Sequence, residues 1–439
     1  MLDDIEVLKK SEFSKMNGEQ LFGLKRLSMN LRMGMHPVVR GFSIKQKLAL
    51  NYVFKQIKLT RIGSKVYSNT FTPFYPSLAY DRYMEGLSSI ISGQSVPIVS
   101  NIAITARCPC SCWHCSFSDR SKKDALSLTE IKQTISGLQD LGSSLIGITG
   151  GEPLVRKDLE KIIEAIGPRS MPVMFTTGYN LTRERVRSLK DAGLEIPVLS
   201  LDHYIPEKHD KGRGVKGIFK STLKAIEYFK SEGFYTAVSF VPSRELLDEP
   251  EEAFQVLDFF KDIGINDIRL TSPILSGKLT CTHEEKLSEQ HKAVIFDMQK
   301  KCTSEKGYPG SFAYDFFEGK DYYGCGAGYH YAFIDSMGNL CPCDFAMISL
   351  GNIKKEPLKD VWERTNQSFC VPGCDCYANV ISDSVGKMKN KTWPLDVKRS
   401  KEIIKKHPTH DPEKLPEFFR RMGLRVDPKI LPTRQTKKK

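Results

Sequence analysis

Twelve cysteines stand in this chain of 439 residues, and ten of them fall into two tight groups. The first reads Cys108-Pro109-Cys110-Ser111-Cys112-Trp113-His114-Cys115. Four thiols this close exceed any packing need and point to metal chemistry. A zinc ion commonly takes a close pair of cysteines together with a distant second pair, which one short loop does not offer. Cys108, Cys112 and Cys115, spaced C-x3-C-x2-C, instead offer thiolates for three irons of a 4Fe-4S cluster and leave its fourth iron open to a substrate or cofactor. Cys110 is then a bystander thiol. The second group comprises Cys325, Cys341, Cys343, Cys370, Cys374 and Cys376, while Cys281 and Cys302 stand apart as structural thiols. Asp335-Ser336-Met337-Gly338-Asn339 reads as a turn between two strand-like runs, so a hairpin is expected to bring Cys325 to Cys341 and Cys343. A cluster or a zinc ion both suit this second group.

Such groups need a scaffold, and the middle of the chain supplies its signature. Six strands, 98–105, 145–149, 172–177, 197–201, 235–241 and 268–271, alternate with helical patterns, which predicts successive βα units and a parallel sheet. Ser127-Leu128-Thr129-Glu130 is a capping box, and Gly142, Gly193, Gly233 and Gly264 sit where left-handed residues close helices. The expected fold class is α/β, a partial (β/α)6 TIM-like barrel with a small C-terminal α+β cluster-binding extension, its chemistry at the C-terminal ends of the strands. The first cysteine group follows the first strand directly.

Composition narrows the setting. The length allows two or three domains with an ample core. The longest largely apolar run, 96–106, is about half the ~20 residues of a membrane-spanning helix, and the opening MLDDIEVLKK is acidic where a signal peptide is basic. A cytoplasmic, reducing location is expected, peripheral to a membrane surface if the basic segments bind one. The net charge of +13 is uneven: residues 1–94 carry +7, residues 387–439 carry +11, and the body between them carries −5. From Leu21 to Tyr80 there is no acidic residue, while ten Lys/Arg alternate with apolar side chains, a pattern suited to an anionic surface. Ser43 is expected to cap a helix reaching about Leu59, with Leu50, Val53, Phe54 and Ile57 on one stripe, Lys47, Asn51, Lys55 and Lys58 on a polar face, and Ile44, Leu48 and Tyr52 elsewhere. The C-terminal arm is expected to be a partly disordered solubilising tail.

The C-x3-C-x2-C spacing after the first strand resembles the radical S-adenosylmethionine (radical SAM) superfamily. That resemblance implies that Cys108, Cys112 and Cys115 bind a 4Fe-4S cluster whose open iron chelates SAM. Thr149-Gly150-Gly151-Glu152-Pro153 looks like the family's GGEP element, implying that Gly150, Gly151 and Glu152 meet the SAM amino group. Ser200 and Asp202 are placed like its ribose contacts, and Arg213, within His209-Asp210 to Gly217, like an arginine that binds the SAM carboxylate. His114 stands where the family usually has an aromatic residue. Cys325-x12-Gly338-x4-Cys343 is similar to the opening of the SPASM domain, yet the rest departs from its pattern. Six thiols imply one auxiliary 4Fe-4S cluster, on Cys325, Cys343, Cys370 and either Cys374 or Cys376. The expected domains are 1–94, 95–280, 281–386 and 387–439.

The function implied is reductive cleavage of SAM to a 5′-deoxyadenosyl radical that abstracts hydrogen from a substrate, one located at a membrane or phosphorylated. A peptide-modifying maturase and a non-catalytic electron-transfer protein are the alternatives. The implied partners are a small flavodoxin- or ferredoxin-type electron donor and an anionic lipid or peptide, ahead of nucleic acid.

Overall fold

In the computed structural model, residues 15–117, 124–388, 393–408 and 414–426 are described. The N-terminal end of the sequence and its last residues, Lys437 to Lys439 included, lie outside them. Short strands β1 (Glu19–Gln20), β2 (Thr60–Ile62) and β3 (Lys65–Tyr67) form a small antiparallel sheet in the N-terminal region. The main sheet begins with β4 (Val99–Thr105), β5 (Leu145–Gly150), β6 (Met171–Thr176), β7 (Ile196–Ser200), β8 (Ala237–Phe240) and β9 (Asp267–Leu270), six neighbouring parallel strands. They match the expected six. The four closing glycines adopt φ between +67° and +104°, and the capping box of Ser127 with Glu130 forms.

The sheet extends beyond these six strands. β10 (Gly310–Ala313) adds in parallel beside β9, and β11 (Tyr331–Ile334) adds in parallel beside β4, followed by antiparallel β12 (Asn339–Cys341) and β13 (Gly351–Asn352). The hairpin forms at the expected turn, where the Asp335 carboxylate accepts from the Met337 and Asn339 N–H groups. It continues the barrel sheet through β11, so no break in pairing separates core from extension. The short apolar run of β11 gave no signal of which strand it would join.

Side chains alternate with period two along the strands. Ile102, Ile146, Met174, Leu199, Val238 and Ile268 face the surrounding helices, and Val99, Leu145, Val173, Val198 and Ala237 face inward and meet the N-terminal region. That region plugs the barrel floor. Tyr67 stacks on Tyr235 at 4.6 Å, and Phe71 packs on Phe312 and Tyr314. The 71–76 segment is therefore a packed element of the floor. Part of the C-terminal arm is ordered too: helix Glu417–Met422 buries Phe418, Phe419 and Met422 against the same cluster, which corrects the expectation of a solubilising tail for that stretch. Its apolar triplet, closely spaced among charges, outweighs the basic composition.

Asp267, facing inward at the start of β9, is fully buried. One carboxylate oxygen accepts the Thr70 N–H at 3.1 Å and the other has no hydrogen-bond partner among the described residues. Burial pushes this carboxyl up to about 7. The native state thus retains a proton that the unfolded chain releases near pH 4. Between about pH 4 and pH 7 the native state binds more protons, and stability falls as pH rises, by up to about 4 kcal/mol. Melting temperatures of wild type and Asp267→Asn across pH 4 to 8 are expected to converge at pH 4, with the variant more stable at pH 8. A parallel pH dependence in both proteins would contradict this origin.

Candidate active site

The first cysteine group leaves β4 at the C-terminal end of the sheet and is fastened from three sides. Arg213 and Gly212 carbonyls accept from the Ser111 and Trp113 N–H groups at 2.9 and 3.0 Å. Lys278 donates to Ser111 Oγ and its carbonyl at 2.8 and 2.9 Å. Asp124 accepts from the Thr105 hydroxyl, the Ala106 N–H and the Arg107 side chain. A loop with few bonds of its own is thereby held by its neighbours.

Among the described residues no three His, Cys, Asp or Glu side chains converge as if on a single ion. Cys108, Cys110, Cys112 and Cys115 instead border one cavity of about 660 Å³, together with Gly150, Gly151, Glu152, Ser200 and Arg213. The Cys110 thiol contacts both Cys108 and Cys112, so it lies within the group. Its hydrogen bond, together with the Arg213 charge, pulls Cys112 down to about 5 against the effect of burial. Burial pushes Cys115 up to about 11. This donor set suits an iron–sulfur cluster: soft ligands on one loop at the edge of a roomy cavity.

The paired glycines have a definite steric reason. A Cβ on Gly150, which sits at φ +132°, would lie 2.2 Å from the Thr105 carbonyl oxygen, and one on Gly151 would lie 2.1 Å from that of Arg107. The close approach they permit is to the root of the cysteine loop, where Gly151 and Glu152 N–H groups donate to those same carbonyls at 2.8 Å.

Glu152 is buried and fully committed. One oxygen accepts from the Leu154 N–H and the Thr176 hydroxyl, at 3.1 and 2.5 Å, and the other from the Thr177 N–H and hydroxyl, at 2.7 and 2.6 Å. Burial still pushes its carboxyl up, against those four donors. Thr176 and Thr177, at the C-terminal end of β6, are its supports.

Arg213 links two predicted residues. Its guanidinium lies 3.6 Å from Cys112 Sγ and pairs with Asp202 at 2.7 Å. Asp202 also faces His114 at 3.7 Å and accepts the Val241 N–H. Burial raises this carboxyl, but Arg213 and His114 outweigh it and hold it below the ordinary range. The family resemblance implies a place for Asp202 beside the SAM ribose. The structure puts it behind Arg213, outside the cavity wall, because the buried guanidinium requires a counter-charge.

In the second cysteine group, the β-bridge of Cys325 with Gly373 draws 370–376 toward the hairpin. Cys343 and Cys376 thiols interact with Cys325; Cys325 is buried and the other two half-buried, and desolvation pushes all three thiols up. Cys370 and Cys374 stand apart: Cys374 Sγ bonds the Lys414 carbonyl at 3.1 Å, and Cys370 Sγ faces Tyr329. Of the two alternatives left open, Cys376 is the residue that joins Cys325 and Cys343. The Glu318 carboxyl, pushed up to about 8 by burial, acts on Cys325 and Cys376; its segment carried no motif that would have flagged it. Cys341 is buried beside Ala103 and Phe333.

The model of the Radical SAM superfamily matches residues 102–257, and that of the SPASM iron-sulfur cluster-binding domain matches residues 325–370. The chain belongs to the radical SAM superfamily. It is a radical SAM enzyme whose cofactors are a 4Fe-4S cluster and SAM, with auxiliary iron–sulfur ligation in the SPASM domain. Among its relatives is the AdoMet-dependent heme synthase of Methanosarcina barkeri (strain Fusaro / DSM 804), 26% identical over 59% of this chain and 80% of that protein. Another is the PqqA peptide cyclase of Rhizobium meliloti (strain 1021), 25% identical over 62% of this chain and 74% of that protein. The fold is shared with Streptococcus suis SuiB bound to S-adenosylmethionine, at a TM-score of 0.52 and 20% identity over 64% of this chain and 69% of that one.

Proposed function

We propose that Cys108, Cys112 and Cys115 hold the SAM-binding cluster of this radical SAM enzyme, and that Gly150, Gly151, Glu152, Ser200 and Arg213 receive SAM beside it. The observation that carries the reading is that these residues, which follow three separate strands, border one cavity. When bound, the cluster and SAM supply a 5′-deoxyadenosyl radical by reductive cleavage. The chain's part is to bind, orient and enclose. The fixed loop presents three thiolates, Glu152 with its four protein donors braces the wall that receives SAM, and the barrel walls keep water from the reacting atoms. Cys325, Cys343 and Cys376 are proposed as auxiliary-cluster ligands. The proposed domains are the N-terminal region 1–94, the barrel 95–280, the cluster domain 281–386 and the basic arm 387–439.

The substrate enters this cavity and gives up a hydrogen atom there. One relative's name specifies heme synthesis and another's a peptide, so both classes belong in the assay: the reduced, reconstituted enzyme with SAM and fractionated host peptides or iron porphyrins. Stimulated 5′-deoxyadenosine formation by one fraction identifies the class; no stimulation by either removes both. A flavodoxin or ferredoxin is the proposed reductant.

Contact with an anionic membrane is proposed for the N-terminal region on a separate observation. Leu24, Leu27, Leu31 and Met35 form one exposed stripe on and just past helix Gly23–Gly34, and Ile44 and Leu48 are exposed on helix Ile44–Phe54, capped by Ser43 as expected. They stand among Lys25, Arg32, Lys45, Lys47 and Lys55, in a stretch without acids. Apolar side chains ringed by lysine and arginine suit a bilayer of anionic lipid. Among the described residues no helix is long and apolar enough to cross a membrane. The full chain is expected to sediment with phosphatidylglycerol vesicles and to remain free with pure phosphatidylcholine. Leu24→Glu/Leu27→Glu/Leu31→Glu is expected to weaken binding at least tenfold. Equal sedimentation of wild type and triple variant, or none, would contradict the contact, and dimerisation lost in the variant would reassign the stripe.

A further inference from the structure

Arg269 projects inward from β9 into the same cavity and is 6% exposed. Its guanidinium is surrounded by three rings, Phe71, Phe175 and Tyr314, at 4.8, 4.6 and 4.9 Å. Among the described residues it forms no ion pair and no side-chain hydrogen bond. The nearest acids stand beyond ion-pair reach: Asp344, which lines the same cavity and accepts from Asn101 and Tyr331 through Oδ2 at 2.9 and 2.7 Å, and Glu318 both act on Arg269 from a distance.

A desolvated cation that keeps five N–H donors unused is costly unless something supplies the acceptors. Aromatic faces stabilise its charge without accepting those hydrogens along the plane of the fork. The rings also fix the side chain, so no rearrangement is needed to use it. Phe71 comes from the floor plug, which makes the N-terminal region part of this arrangement. The planar fork matches a carboxylate bidentately, and the surrounding Phe175, Phe333 and Phe345 make an apolar wall for whatever carries it.

We infer that Arg269 and its three rings form a substrate-binding subsite that takes the carboxylate of an apolar-bodied substrate. The inference rests on the cavity being the substrate chamber of the proposed reaction. Arg269 anchors one end of the substrate at the floor, leaving its other end toward the cysteine loop.

Equilibrium dialysis with labelled 3-phenylpropionate and 3-phenylpropionamide against reconstituted, SAM-loaded protein tests this. The carboxylate is expected to be retained at least tenfold more tightly than the amide. Arg269→Gln is expected to reduce it to the level of the amide, and Arg269→Lys to restore part of the difference. Equal retention of the two probes, retention of neither, or carboxylate binding untouched by Arg269→Gln would overturn the subsite. If the glutamine variant fails to fold by near-ultraviolet circular dichroism, the comparison of the two probes on wild type decides. Reductive SAM cleavage is measured in parallel: its failure with selective carboxylate binding intact counts against the proposed reaction, not against this subsite.

Discussion

Cys112→Ala is expected to abolish SAM cleavage, bringing 5′-deoxyadenosine to background, a loss of at least about a thousandfold, because two thiolates do not hold the cluster in place of three. Iron content after reconstitution should fall from roughly eight to roughly four atoms per chain, as the auxiliary site is left intact. The fold should survive. Cys112 lies on a loop, and Arg213, which loses the sulfur at 3.6 Å, keeps its ion pair with Asp202 at 2.7 Å. Cys110→Ala makes the informative contrast: its thiol touches both Cys108 and Cys112, yet a three-thiolate site does not require it, and cleavage within about threefold of wild type is expected. Iron content by ferrozine and product by chromatography give both readings. Unchanged cleavage in Cys112→Ala would refute the ligand assignment, and a complete loss in Cys110→Ala would reassign the ligands.

Glu152→Gln is expected to cost stability as well as activity. All four contacts of the carboxylate come from donors, one backbone N–H and one hydroxyl on each oxygen. An amide places an NH₂ against one of those backbone N–H groups whichever way it turns. The hydroxyls of Thr176 and Thr177 can rotate, but the N–H groups of Leu154 and Thr177 cannot. Leaving one buried donor facing another costs about 2–4 kcal/mol, a drop of about two to four degrees in melting temperature for a chain of this length. The substitution also unsettles the wall proposed to receive SAM, and SAM affinity should fall about tenfold or more. Chemical denaturation and SAM binding by equilibrium dialysis check the two parts separately. A variant as stable as wild type would mean that these contacts contribute little.

The parts of this architecture set by local rules were legible in the sequence. The capping box at Ser127, the glycines at helix ends and the period-two strands each depend on a few neighbouring residues, and all six strands follow. Glu152 and the two glycines stood out because both glycines and an acid together exceed what a turn requires. Their reason was less visible. The glycines clear the carbonyls of Thr105 and Arg107, a long-range packing fact, and Asp202 was drawn away from the cavity by the charge of Arg213. The choice between Cys374 and Cys376 depended on one bridge, Cys325 with Gly373, between segments far apart in sequence. Arg269 lies within the expected sixth strand, but its ring cage needs Phe71 from the N-terminal region. β10 and β11, short apolar runs without a crossover pattern of their own, joined the sheet through pairings that only the assembled fold specifies.

The most direct test of the account is formation of 5′-deoxyadenosine by the anaerobically reconstituted wild-type chain, reduced with dithionite in the presence of SAM. At least about one equivalent per chain, with methionine in equal amount, is the predicted result. A protein that holds its full complement of iron and sulfide, binds SAM and still yields none would contradict it.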